Sequence, residues 1–251
     1  MKKILFMTAV VSIGMLFVVS ASMATYINPV GGDGGNSSLQ DVLNGITTLP
    51  NPGKSSVNVD TDQLAADAYW SIAGSGYSNV TMVIQLAGWA PNTNFGVFSG
   101  DKMVPIFVGG AVPGTGASLS IHGDGSVYLN YTTDTGIDFA GNSFGYYIET
   151  TNNGNIFYSD TSKNADNFFD HMVAFQGKGI DTIKIGNLSS GVWGVSEFAL
   201  AFEDTYGGGD RDYQDLVVMV ESVNPVPEPI SLLLLGLGLV GLAGIRRKFK
   251  S

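Results

Sequence analysis

The chain has 251 residues, no cysteine, 34 glycines and a formal net charge of −10. The missing thiols exclude disulfides, thiolate catalysis and cysteine-ligated zinc, so packing or a metal must hold any exported domain together. An acidic surface repels nucleic acid and anionic polymers, and abundant glycine without a collagen period implies many turns between short strands.

The N-terminus opens with Met1-Lys2-Lys3, continues through an uncharged run at 4–19 and ends in Ser20-Ala21-Ser22-Met23-Ala24. A basic start, an apolar middle and small residues at the exit are the layout of a secretory signal, read by the Sec translocon and cut after Ala24. Between Thr25 and Val226, six basic residues face twenty-one acidic ones, leaving this stretch at −15. Residues 25–60 read as a flexible, partly helical leader, with Gly31-Gly32-Asp33-Gly34-Gly35 unstructured and a short helix at 39–46. A second helix is expected at 61–73, where Leu64, Ala65, Ala68, Tyr69 and Ile72 recur at helical spacing behind Asp60 or Thr61 as cap.

From Asn79 the period changes. Strands are expected at 81–86, 95–98, 103–108, 118–122, 126–131, 143–150, 156–159, 171–176, 182–185, 191–202 and 216–221. Each is rich in β-branched and aromatic residues and bounded by Gly, Asn, Asp or Pro. Closely spaced strands with little helix make residues 61–223 a mainly β domain, an antiparallel β-sandwich or jelly roll with one or two short N-terminal helices.

The most informative interior stretch is 197–221. Phe198, Leu200 and Phe202 alternate with Ala199 and Ala201, so this strand has one bulky face. Residues 216–220 are apolar throughout, as in a central strand covered on both sides. The segment between them is long for a hairpin loop, and such loops are usually functional or disordered. It holds five carboxylates, Glu203, Asp204, Asp210, Asp212 and Asp215, and one cation, Arg211. Two carboxylates about 4 Å apart repel by about 4 kcal/mol at an effective dielectric near 20. A Ca²⁺ ion, with six to eight oxygen ligands, would relieve that repulsion; a solvated loop with its charges splayed into water is the alternative. The five carboxylates are the candidate metal ligands.

The same stretch carries a family likeness. Phe202-Glu203-Asp204, Gly207-Gly208-Gly209-Asp210-Arg211-Asp212-Tyr213 and Asp215-Leu216-Val217-Val218 resemble the signature of domain of unknown function 4114, found in exported bacterial proteins and adhesins. The likeness extends back to about Asn79, covering 79–222. Where that family usually has Asn-Asp before the final strand, this chain has Gln214-Asp215, which weakens position 214 as a ligand.

The C-terminal region, 224–251, begins with a stiff spacer in which Pro227 and Pro229 flank Glu228. An uncharged Leu/Gly run follows at 230–245. At about 1.5 Å per residue it reaches about 24 Å, enough to cross a membrane with local thinning. Arg246, Arg247, Lys248 and Lys250 then hold that end in the cytoplasm. Pro227-Glu228-Pro229, an apolar helix and a basic end resemble the PEP-CTERM sorting signal of Gram-negative bacteria. The resemblance implies transient membrane insertion, recognition by exosortase, a membrane transpeptidase-like enzyme, and removal of the tail. The mature protein is then expected in the periplasm, on the outer surface or in the extracellular matrix.

Catalytic signals are thin. His171 follows Asp170, but no Gly-x-Ser-x-Gly elbow accompanies them. Asp170 and Glu203 are the carboxylates a glycan hydrolase would use, though nothing sets their separation. Trp70, Trp89, Trp193, Tyr146 and Tyr147 would serve either as a sugar-stacking platform or, more commonly, as sandwich core. The expectation is therefore a non-catalytic surface or matrix protein that takes up Ca²⁺ and contacts extracellular polysaccharide, with no nucleic-acid partner. The alternative is a secreted carboxylate-dependent glycan hydrolase.

Overall fold

The structure is a computed structural model and describes residues 38–74, 76–85, 92–109 and 111–227. The signal segment with its cut after Ala24, the glycine-rich stretch 31–37 and Trp89 lie outside these residues. So do Glu228 and Pro229, the apolar run 230–245, and Arg246, Arg247 and Lys248. No helix among the described residues is long and apolar enough to cross a membrane.

The described chain is mainly β. Helix α1 (Leu39–Ile46) leads into β1 (Thr47–Leu49), β2 (Trp70–Ile72), β3 (Ser78–Gln85), β4 (Thr93–Ser99), β5 (Lys102–Phe107), β6 (Gly116–Ile121), β7 (Ser126–Leu129) and β8 (Thr133–Asp138). Then come β9 (Gly145–Thr150), β10 (Asn155–Tyr158), β11 (Met172–Gln176), β12 (Thr182–Ile183), β13 (Gly191–Val192), β14 (Glu197–Phe202), β15 (Leu216–Glu221) and β16 (Val223–Pro225). The largest sheet has seven strands in the order β11-β14-β15-β3-β6-β7-β8, and a second has four, β10-β9-β4-β5. Two small sheets, β1-β12-β13 and β16-β2, complete the set. Every strand pair is antiparallel.

The two large sheets share one core. Met172, Phe198, Leu200, Phe202, Leu216, Val218, Val220, Val80, Met82 and Leu119 from the seven-stranded sheet meet Phe95, Val97, Val104, Tyr146, Ile148 and Phe157 from the four-stranded one. The other face of the large sheet is also covered. Val173, Phe175, Ala199, Ala201, Val217 and Met219 form a second cluster with Leu39, Val42 and Leu43 of α1, Val57, Val59, Ile183, Ile185 and Trp193. The apolar run of β15 and the large/small alternation of β14 follow from this. Bulky residues fill the sandwich core and alanines leave room for the layer outside.

Three expectations need correction. Residues 61–73 do not form a helix. Gln63 bridges to Phe175, the Leu64 amide donates to the Ala174 carbonyl at 2.9 Å, and Trp70 starts β2 opposite Pro225. This segment covers the edge of β11, and the fully buried Trp70 packs edge-on against Tyr146 and Phe198. Sheet-edge pairing and indole burial outweigh the helical spacing. The short helix at 39–46 forms as expected, but residues 38–60 pack into the domain instead of standing apart as a flexible leader, because α1, Val57 and Val59 complete the second cluster. The expected strand at 191–202 is two strands, since β13 pairs with β12 and β14 with β11 and β15, while Trp193 between them turns into the second cluster. As the more common reading of such aromatics has it, Trp70, Trp193, Tyr146 and Tyr147 are all buried and serve as core.

Candidate metal centre

Strands β14 and β15 are in register from Glu197 opposite Glu221 to Phe202 opposite Leu216. The acidic segment 203–215 therefore closes one end of the central pair. Its entry is pinned: the Glu203 amide donates to the His171 carbonyl at 3.0 Å and the Asp204 amide to Asp215 Oδ2 at 2.9 Å. Tyr213 is fully buried, and its hydroxyl donates to the Asp170 carbonyl. The fold-back between these anchors runs through five consecutive or near-consecutive left-handed residues, Gly207, Gly208, Gly209, Arg211 and Tyr213. Two of these are not glycine, a strained arrangement that persists only where the surroundings enforce it.

This fold-back turns carboxylates inward instead of splaying them into water. Glu203, Asp204 and Asp212 are buried to 1–2% exposure, Asp215 is half-buried and Asp210 is exposed. Ligand oxygens of Glu203, Asp210 and Asp212 lie within 4.8 Å of one another, as do those of Glu203, Asp204 and Asp215. The five sequence candidates thus form two triads sharing Glu203. Burial, then the charges of Asp215, Asp210 and Asp212, push the Glu203 carboxyl up to about 9. Burial and Asp215 push Asp204 up to about 7. Burial raises Asp215 too, with Asp212 and Asp210 adding to the effect.

The cation nearest in sequence does not offset this. The Arg211 guanidinium lies over the Phe169 ring, 5.3 Å from its centre, and enters neither ion pair found among the described residues. Three buried oxygens, Glu203 Oε2, Asp204 Oδ2 and Gln214 Oε1, have no hydrogen-bond partner. A buried acceptor left unpaired costs about 1–3 kcal/mol. Gln214 was discounted on sequence, yet its Nε2 donates to Asp212 Oδ2 at 2.6 Å, and its own oxygen is buried at the cluster. Oxygen donors only, several carboxylates and an amide fit a hard cation. Ca–O bonds of about 2.3–2.6 Å place ligands on opposite sides of the ion up to about 5 Å apart, consistent with each triad.

His171 supports the loop from beneath. It is fully buried, with Nδ1 2.8 Å from the Glu203 carbonyl oxygen and Nε2 2.7 Å from Asp166 Oδ2. Asp166 also accepts from the Gly207 amide at 2.7 Å, tying the glycine turn to the histidine. The partner of the imidazole is therefore Asp166, not the adjacent Asp170, whose carboxylate accepts from the Met172 amide at 3.3 Å. Asp166, five residues before the histidine, carried no sequence signal.

No curated protein and no solved structure matches the chain. Residues 133–223, from β8 through the acidic segment to the start of β16, match the family described as Domain of unknown function (DUF4114). That match begins well after Asn79, so it covers only the C-terminal part, 133–222, of the expected span 79–222. Residues 225–248 match the PEP-CTERM protein-sorting motif, the signal of exported proteins processed by exosortase in Gram-negative bacteria. The stretch similar to DUF4114 is thus followed at once by the one that matches the PEP-CTERM sorting motif.

Proposed function

We propose that this exported, exosortase-sorted protein is a non-catalytic surface or matrix module whose acidic β14–β15 loop takes up Ca²⁺ and which lies in contact with extracellular polysaccharide. The observation that carries the Ca²⁺ reading is the shared pair of carboxylate triads, with buried oxygens of Glu203, Asp204 and Gln214 left unpaired. Ca²⁺ would supply positive charge to carboxylates that, among the described residues, form no ion pair with a lysine or arginine. Glu203 serves both triads, Asp210 and Asp212 complete the outer one, and Asp204 and Asp215 the inner one. The role is structural: an ion there would fix the fold-back that joins the two central strands.

Calorimetry of the protein with Ca²⁺ or with EGTA tests the reading. Melting is expected to rise by several degrees with Ca²⁺, and Asp210→Asn with Asp212→Asn should remove most of that rise. An equal Ca²⁺ response in the double variant would place the ion elsewhere. Mass spectrometry of the mature protein checks the export arm, where loss of Phe249-Lys250-Ser251 is expected. The glycan-hydrolase reading is weaker, since Asp170 and Glu203 are 3% and 1% exposed and neither lines the surface groove described next.

A further inference from the structure

At the opposite end of β14 and β15 the outer face of the large sheet carries a groove. Two depressions, of about 420 Å³ and about 150 Å³, share Asn79, Thr81, Leu188 and Glu221 and so form one continuous trough. Its floor crosses four strands. Glu197 faces Glu221 across β14 and β15, Met219 faces Thr81 across β15 and β3, and Asn79 faces Ser118 across β3 and β6. The layer bearing Ile183, Ile185, Leu188 and Val192 walls one side, and Tyr131, in the turn between β7 and β8, walls the other.

The lining combines a stacking surface with aimed polar groups. Tyr131 is 59% exposed and meets Tyr77 edge-on with ring centres 5.2 Å apart. Its hydroxyl donates to Asn79 Oδ1 at 3.3 Å, while Asn79 Nδ2 donates to Glu221 Oε1. Asn130 and Tyr131 both hold left-handed backbones, at φ 50° and 66°, as the tight reversal from β7 into β8 requires. A second observation points to a ligand. Ser118 lines the trough, is only 3% exposed, and its buried Oγ has no hydrogen-bond partner. A hydroxyl in that position is satisfied when a hydroxylated ligand reaches it.

We infer that this trough binds a neutral polysaccharide chain. An exposed tyrosine offers its face to a sugar ring, while Asn79, Glu221, Asn130 and Ser118 supply the acceptors and donors that sugar hydroxyls need. Glu197 and Glu221 in the floor, within a strongly acidic domain, repel uronic or sulfated polymers and leave uncharged chains as the fitting class. The inference deepens the matrix-protein reading and rests on it, but it does not use the Ca²⁺ loop.

Native electrophoresis tests it, using the full chain in a polyoxyethylene detergent, which has no sugar head. Gels are cast with galactomannan, a soluble β-glucan or alginate. Retardation by a neutral polymer is expected, at least tenfold weaker in Tyr131→Ala, largely kept in Tyr131→Phe, and several-fold weaker in Ser118→Ala, with melting of Tyr131→Ala unchanged. The inference is overturned by no retardation in either neutral gel, by retardation in alginate alone, or by equal retardation of wild type and Tyr131→Ala. Concentration-dependent sedimentation that disappears in Tyr131→Ala would make a second copy of the chain the occupant and also overturn it. The Ca²⁺ melting response, measured in parallel, shows separately whether the acidic-loop reading fails.

Discussion

Gly209 sits where a side chain would strike the metal centre. Its φ is +38°, and a Cβ there would lie 2.4 Å from Glu203 Oε1 and 3.0 Å from Thr205 Cβ. The glycine therefore lets the backbone pass close behind the one carboxylate that both triads share. Gly209→Ala would have to displace Glu203, and is expected to weaken Ca²⁺ binding at least tenfold in isothermal titration while the strand core stays folded. Unchanged affinity in that variant would mean Glu203 is not a ligand. The neighbouring constraint is different in kind: a Cβ at Gly208 would lie 2.0 Å from Phe169 Cζ, so that position answers to packing. Three glycines in a row are plain in the sequence. Which glycine guards the carboxylate is not, because that depends on which side of the turn faces Glu203.

At the level of elements, the large sheet depends on covering both of its faces. Helix α1 does part of this with Leu39, Val42 and Leu43, and it is only eight residues long, too short to persist without packing and caps. Its start is a capping box. Ser38 Oγ accepts from the Asp41 amide at 3.2 Å, and the Ser38 amide donates to Asp41 Oδ2 at 3.1 Å. Ser38→Ala is expected to cost about 1 kcal/mol in urea unfolding. No loss would show that tertiary contacts alone hold the helix. Elements with a strong local pattern, such as the large/small alternation of β14 and the unbroken apolar run of β15, were legible in the sequence. The segment 61–73 was not, since its helical spacing is overridden by pairing with partners about a hundred or more residues away. Strands β8 and β16 also escaped, being short and poor in alternating apolar residues; β8 reads Thr-Asp-Thr-Gly-Ile-Asp. The acidic loop was legible as a cluster of charges, whereas the buried oxygen of Gln214 and the support from Asp166 emerge only when the chain is folded.

For the whole molecule, charge and stability are linked through that loop. In the folded, cation-free state Glu203 titrates near 9 and Asp204 near 7, against ordinary values of 4.5 and 3.8. The fold therefore holds protons that the unfolded chain releases. Stability from these two groups is fully present below about pH 4 and is lost as pH rises through 7 for Asp204 and 9 for Glu203. Ca²⁺ binds the deprotonated carboxylates, so it competes with those protons and gains on them as pH rises. Melting in EGTA should accordingly fall from pH 5 to pH 9, whereas melting in excess Ca²⁺ should change much less, so that the Ca²⁺-induced shift is larger at pH 9 than at pH 5. General repulsion among the acidic residues would also lower melting at high pH, and Glu203→Gln separates the two effects. If the loop is responsible, this variant flattens the EGTA profile and shrinks the Ca²⁺ shift together. A profile in EGTA that rises with pH, or a Ca²⁺ shift of equal size at both ends, would show that the buried carboxylates do not govern the stability of this domain.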